Sequence, residues 1–540
     1  MKEIITIILF LQCQLAITQT WPKIYGIEEK VWGNSVIEIY DKGYLVNSQV
    51  DPGFGGVDQM HAWLLKTDIN GIKLWDKKIY NSSYAIATND ISQTQDGGMI
   101  LIGSTSKYDP GEYDVFFLKI NACGEKEWCT VLNTPGNSDF GLKLLPVDNG
   151  YVGLLSYYQD WLNKRVWTIK LDLAGNVVWK KVYFQEDPGY RNEQACDIMV
   201  TPDDGFIVAA DGWYDPAGGW NGHLYSILIK TDSLGNEQWI TRWGEENSDY
   251  YSWLPTSPAL SESGNYYCAN THIIYSGPSP GVSPGYIKTS PTGQELLSVD
   301  LLTNTESGIT TRLHFLYPDT LIMACGWRRL NEDYQEGVIK CDTNANNIIV
   351  KVLLDSVINT FQGSTLTFDQ KMVLVGGFTK LNNTSDLYIF KINSNLDLDS
   401  LYTMPRTYDT LCPYQIVSDT LDLEDCGIYT SLKDPDIFPE SYQLKAYPVP
   451  AYDNINFTMP EELVVNKTMN GVKVQTIYHQ WDKTTLQIYN LQGHLIFEKE
   501  IDYSQKEIKI DCYPWKNGMY LARLMYNSSK VGESKIMILE

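Results

Sequence analysis

The sequence predicts an all-β chain: a seven-bladed β-propeller followed by a small C-terminal β-sandwich. Three observations carry this. A hairpin-forming motif returns seven times at intervals of 51 to 60 residues, an Asp/Gly turn motif precedes it each time, and the repetition stops near Pro405, with a new block of alternating strands from Ala446.

The chain opens on Lys2, an apolar run from Ile4 to Leu11, and Ala16-Ile17-Thr18-Gln19. These are the length and flanks of a signal peptide over residues 1–19, too short to span a bilayer. Cys13 follows Gln12, a poor residue to precede a lipidated cysteine. No later stretch reaches 18 apolar residues, so no transmembrane segment is expected.

The first motif reads apolar-Lys-x-[Asp/Asn/Ser]-x-x-Gly followed by an apolar or Trp residue, as in LLKTDINGIKLW, FLKINACGEKEW, TIKLDLAGNVVW and LIKTDSLGNEQW. Its lysines are Lys66, Lys119, Lys170, Lys230, Lys288, Lys340 and Lys391. Two apolar runs separated by an Asx residue and a glycine make a hairpin: Asp68, Asn121, Asp172 and Asp232 start the turn, and Gly71, Gly124, Gly175 and Gly235 supply positive φ at its exit. The last two copies carry Ala345 and Leu396 at the glycine position, which predicts turns of a different kind.

The second motif is DKGYLVNS, DGGMILIG, DNGYVGLL and DDGFIVAA, from Asp41, Asp96, Asp148 and Asp203, with looser copies from Ser263, Asp319 and Asp369. Its near-continuous apolar runs predict strands covered on both faces. Each repeat then holds four strands, and seven such sheets hide their edges best by closing radially over residues 20–405. The segment from Trp21 matches the outermost strand marked by Trp75, Trp128, Trp179 and Trp239, so the N-terminus is expected to complete the seventh blade. The signature resembles bacterial propeller repeats of the broad kelch-like type, which implies an architecture and no activity.

Residues 406–445, rich in Asp, Ser, Thr and Pro, read as a linker in which Cys412 and Cys426 pair; Cys123 and Cys129, flanking one hairpin turn, form a second candidate pair. With the signal segment gone, nine cysteines remain and no C-x-x-C, which excludes a zinc-ribbon pattern. From Ala446 the landmarks are AYPVPAYDNINFTM, LQIYNLQGHLIFEKEI, NGMYLARL and ESKIMILE. This block resembles the type A C-terminal sorting domain of Bacteroidetes proteins exported by type IX secretion. The matching residues are Tyr447, Pro448, Pro450, Ala451, Tyr489, Asn490, Gly493, Gly518, Tyr520 and Lys535; Val449 departs from the family's Asn, and residues 463–484 read as an insertion. The resemblance implies passage through the periplasm, the type IX machinery as a partner, and a secreted or cell-surface destination.

Charge and composition agree with export. With 42 Lys+Arg against 66 Asp+Glu and no basic cluster, the net charge of −24 excludes nucleic acid as a partner. Four of the six histidines, His61, His223, His272 and His314, are scattered over different repeats and leave no metal constellation. G-x-S-x-G, H-E-x-x-H, P-loop and EF-hand motifs are absent, and the S-x-x-K match at Ser104–Lys107 ends a strand where that chemistry wants a helix. Variable connections between the second and third strands gather on one face of the ring, and two combine aromatic rings with carboxylates: Tyr108, Asp109, Glu112, Tyr113 and Asp114, then Asp211, Trp213, Tyr214, Asp215 and Trp220. Flat rings beside carboxylates suit capture of a glycan or a protein segment. A monomeric, non-catalytic binding protein without cofactor is expected. Calcium fits the loop carboxylates chemically, though no motif demands it. The alternative is a secreted polysaccharide- or peptide-degrading hydrolase using Glu112, Asp114, Asp211 and Asp215 at the propeller mouth.

Overall fold

The computed structural model describes the chain from Trp21 to Ile538, apart from stretches of connecting chain of which the longer are 53–59, 184–189, 215–222, 244–249, 275–280, 356–360, 380–384, 430–441 and 479–483. The expected signal segment, residues 1–19, lies outside the described residues. The described residues form strands and connections and no helix, in two compact domains, Met1–Leu432 and Lys433–Glu540.

In the first domain the strands group in fours. The second repeat shows the pattern, with strand a at Ile86–Gln93, b at Met99–Thr105, c at Asp114–Ile120 and d at Lys126–Leu132, antiparallel throughout. Strands b and c are buried along their whole length, as their unbroken apolar sequences require. The same order recurs in sheets whose strands a begin at Ser138, Tyr190, Tyr250 and Thr305. Each strand a touches the strand a of the next repeat, and the last, Phe361–Leu366, touches the first, Lys30–Glu38. Lys23–Tyr25 pairs antiparallel with Ser385–Ile392, so the N-terminal segment joins the last repeat as expected. This is a propeller-type fold.

The two sequence motifs turn out to be one device. In the second repeat the Asp96 carboxylate accepts from Gly98 N (3.0 Å) and from Lys119 Nζ (2.9 Å), and Lys119 also meets Glu127 at 2.8 Å. The motif lysine thus crosses from strand c to hold the a–b turn of its own repeat. Lys66–Asp41 (2.6 Å) and Lys230–Asp203 (2.8 Å) repeat the arrangement. The glycine after the turn makes room for it: a Cβ on Gly98 would lie 2.5 Å from both Lys119 Nζ and Ile120 O. The Lys66–Asp41 pair is almost wholly buried, so loss of one partner would cost about 3–5 kcal/mol by stranding the other charge.

The last two hairpin turns do not differ from the rest. Ala345 N donates to Asp342 O and Leu396 N to Asn393 O, as Gly71 N donates to Asp68 O, and Ala345 and Leu396 take φ of 58° and 67°. The Asx residue fixes the turn so firmly, with Asp342 Oδ1 accepting from Asn344 N and Asn346 N (both 2.9 Å), that side chains are forced into the left-handed region. Ala345→Gly should therefore stabilise the protein by about 0.5–1 kcal/mol, net of the entropy glycine adds to the unfolded chain. A lower midpoint in urea for the variant would refute this.

Residues 406–429 are not a free linker. Asp419–Leu421 adds in parallel to strand d of the first repeat, Lys73–Ile79, and Gly427–Tyr429 adds in parallel to strand d of the second. The cysteines pair crosswise to expectation: Cys123 with Cys412 and Cys129 with Cys426, closing separations of 289 and 297 residues. Neither Cys412–Cys426 nor Cys123–Cys129 forms. Ion pairs fasten the same strap: Lys77 to Asp419 (2.6 Å), Lys126 to Asp422 (3.0 Å) and Lys107 to Glu424 (2.8 Å). Its many polar residues are polar because the repeats offer lysines there.

In the second domain a five-stranded sheet and a three-stranded sheet share one core, in which Ile455, Phe457 and Ile510 meet Leu486, Ile488, Leu524 and Ile536. The segment expected to be an insertion forms a separate hairpin, Leu463–Met469 with Val472–Tyr478. Of the sorting-motif residues, Ala451 is buried and its N donates to Met537 O (2.8 Å). Tyr520 is buried with its hydroxyl on Lys516 O (2.7 Å), and Tyr447 is exposed with its hydroxyl on Glu507. Tyr489 donates its hydroxyl to Gln487 Oε1 (2.7 Å), and Asn490 pairs with Tyr520. Gly518 opens its strand at φ 152°, and the Lys535 backbone pairs with Leu521. Pro448, Pro450 and Gly493 lie outside the described residues.

Candidate functional site

The ends of strands b, the starts of strands c and the starts of strands a lie on one face of the repeats, so the variable connections share it. Over the second, third and fourth repeats this face carries a continuous strip. Tyr113 lies 5.6 Å from Phe140, Phe140 lies 5.0 Å from Tyr158, and Lys164 Nζ sits 4.4 Å over the Tyr158 ring. Tyr158 Oη and Lys164 Nζ both donate to Gln194 Oε1, at 3.3 and 3.0 Å. Gln194 is the register partner of Asp211, whose Oδ1 accepts from the Cys196 thiol at 3.5 Å. The three rings are half-buried.

Electrostatics sharpen the far end of the strip. Burial pushes the Asp211 carboxyl up to about 6, with the Cys196 contact and Lys164 pulling the other way. Burial also holds Lys164 below the ordinary lysine range, and Asp211 opposes that shift. Tyr158 is pushed up to about 12 by burial and by Asp211.

The expected site residues divide into four groups. Tyr113 belongs to the strip, and Glu112 supports it by accepting from Ser138, whose Oγ in turn receives Tyr113 N at 3.2 Å. Asp211 closes it, with Trp213 and Tyr214 half-buried at the end of the same strand. Tyr108 instead packs against the core with Lys107 Nζ 5.1 Å from its ring, and Asp114 is wholly buried. Asp109, Asp215 and Trp220 lie outside the described residues. Sequence reasoning missed Phe140, Tyr158, Lys164 and Gln194, because it followed long b–c connections and the third repeat has a short one, between Gly150–Asp160 and Asn163–Leu171. Tyr158 does stand where Trp213 stands, near the end of its strand b and at the same offset from the Asp of the turn motif (Asp148, Asp203), and that equivalence was the available signal.

The centre of the ring is concave too, and it satisfies itself. Every strand a carries a one-residue bulge, in the second repeat between Thr88 and Asp90. The residues after the bulge include Ser35, Asp90, Lys143, Asp197 and Arg312, which line a cavity of about 220 Å³. Lys143 meets Asp90 at 3.3 Å and Arg312 meets Asp197 at 3.4 Å, while Leu144 N and Ser257 N donate to the same carboxylates at 3.1 Å. Two cations against two anions leave no charge for a ligand to answer. His314 beside them is driven down to about 4 by burial and by Arg312, and bonds Ser364 Oγ at 2.9 Å. Among the described residues no group of three or more His, Cys, Asp or Glu side chains is placed to hold a metal, and no helix is long and apolar enough to cross a membrane.

Residues 445–539 match the family model of the secretion system C-terminal sorting domain. The protein is accordingly a type IX secretion substrate, secreted or held at the cell surface. No curated protein matches the chain. Among solved structures, the chain is similar to an ulvan lyase of polysaccharide lyase family PL25, at 12% identity over 68% of this chain and 95% of that one, with a TM-score of 0.46. A Dyadobacter fermentans protein of unknown function follows at 9% identity over 68% and 96%, TM-score 0.39. The α-L-arabinofuranosidase Arb93A of Fusarium graminearum stands at 9% over 68% and 94%, TM-score 0.35. Scores this low bring no activity across.

Proposed function

We propose that the mature protein is a non-catalytic, monomeric, seven-bladed propeller, closed by its N-terminal strand, that binds a glycan through the strip Tyr113–Phe140–Tyr158. The C-terminal domain is a two-sheet sandwich that delivers it to the type IX machinery. The observation that carries the reading is the strip itself: three half-buried rings in sequence, ending at a lysine, an amide and a carboxyl that can hydrogen-bond sugar hydroxyls. A glycan array on residues 20–432 should give a defined hit, and Tyr158→Ala should weaken it by about tenfold, the worth of one stacked ring. An array and a pull-down that both stay blank would sink the proposal.

A second reading, a secreted hydrolase, is favoured by one observation. An acid poised near 6 beside a lysine and a tyrosine is what proton transfer needs. Polysaccharide turnover that Asp211→Asn abolishes would establish it in place of pure binding.

A further inference from the structure

At the junction of the second and third repeats two carboxyls are buried together. Asp114 begins strand c of the second repeat and Asp139 lies in strand a of the third, each with no exposed surface. Asp139 N donates to Tyr113 O at 2.6 Å, which binds the two strands here. Asp114 is met by donors, Asn133 Nδ2 on one oxygen and Thr134 N on the other, both at 3.1 Å. The Asp139 side chain is met by none: neither of its oxygens has a hydrogen-bond partner, and neither has Thr134 Oγ1, which is itself only 3% exposed. Burial pushes the Asp139 carboxyl up to about 8; the nearby Thr134 hydroxyl and Tyr158 backbone N–H pull the other way, and the like charge of Asp114 adds to the rise.

Comparison between repeats shows that the scaffold does not require an acid here. Counting three residues back from each strand-a bulge gives Val31, Ile86, Asp139 and Glu193 in the first four repeats. Val31 and Ile86 are ordinary core residues. Glu193 is an acid, but it has a cation: Arg242 at 3.4 Å, with the Tyr225 hydroxyl donating at 3.0 Å. Asp139 has the burial and the carboxyl without the cation. A buried carboxyl with both oxygens unmet costs several kcal/mol, far more than the valine or isoleucine that would fill the same place.

We propose that Asp114, Asp139 and Thr134 hold a calcium ion. The donors are all hard oxygens, two carboxylates and a hydroxyl, as calcium prefers and softer metals do not. Two charges on the ion cancel the two buried carboxylates. The ligands come from two stretches of chain, Asp114 from one and Thr134 and Asp139 from the other, so the ion clamps two adjacent repeats beneath Tyr113. The site is independent of whether the strip above binds a glycan.

The full-length protein, stripped with EDTA, should gain several degrees in melting temperature on adding millimolar calcium chloride, the range of extracellular calcium modules. Terbium should bind the stripped protein and show tyrosine-sensitised emission that calcium displaces. Asp139→Asn should fold without metal, since it removes a buried charge, and should lose both responses. If that variant fails to fold, Thr134→Val carries the test, with a weakened calcium response expected. Absence of both responses in the unaltered protein, or their persistence in Asp139→Asn, would overturn the proposal.

Discussion

Deleting residues 445–540 should turn an exported protein into a periplasmic one, with the extracellular or surface fraction falling from most of the chain to a trace. The two domains have separate cores, and the strap that completes the first ends at Tyr429, upstream of the cut. The truncated protein should therefore keep its melting temperature and both disulfides. That separates loss of an address from loss of a fold. Normal export of a folded truncation would contradict the role of the sorting domain. A single lesion such as Ala451→Asp, which puts a charge where no exposed surface remains, should reproduce the retention by unfolding the second domain alone.

The second large effect is the non-additivity of the two bridges. A bridge closing a loop of nearly 300 residues removes about 5 kcal/mol of unfolded-chain entropy. Once one bridge exists, however, the other closes only a short circuit of roughly 20 residues, worth about 3 kcal/mol. Cys412→Ser or Cys426→Ser alone should thus cost about 3 kcal/mol, and the double variant about 8, well beyond twice the single loss. Equilibrium denaturation of the three variants measures this directly. Equal and additive losses would refute the crosswise topology, as would peptide mapping that joins Cys412 to Cys426.

The repeats were legible because their signals are local. An Asx residue, a glycine and a lysine at fixed offsets specify a hairpin without reference to the rest of the chain, and Trp21 marks the N-terminal strand by the same logic. The bridges were not, because spacing along the chain says nothing about partners 289 residues away. The strap read as a linker because its Asp, Ser and Thr residues look solvated until Lys77, Lys107 and Lys126 are seen opposite them. Burial was the hardest quantity: Asp114 and Asp211 sit in stretches that read as exposed loops, yet both lie within strands. The strip was half-visible. Tyr113 and Asp211 were in view, while the third-repeat residues that join them lay beside a connection too short to attract notice.

The strap also sets how the protein bears load. Any pull on the chain from beyond residue 429 first meets three residues of parallel pairing and then Cys426, which is covalently fixed to Cys129 in the middle of a strand. Tension then passes into the second repeat through sulfur and runs along that strand, so the sheet is sheared as a block rather than peeled hydrogen bond by hydrogen bond. A second covalent stop, Cys412 to Cys123, lies behind it. The other repeats stay outside the line of force. A protein tethered by its C-terminal end would keep the face that carries the Tyr113–Phe140–Tyr158 strip intact under drag that would otherwise unravel a ring from its last strand.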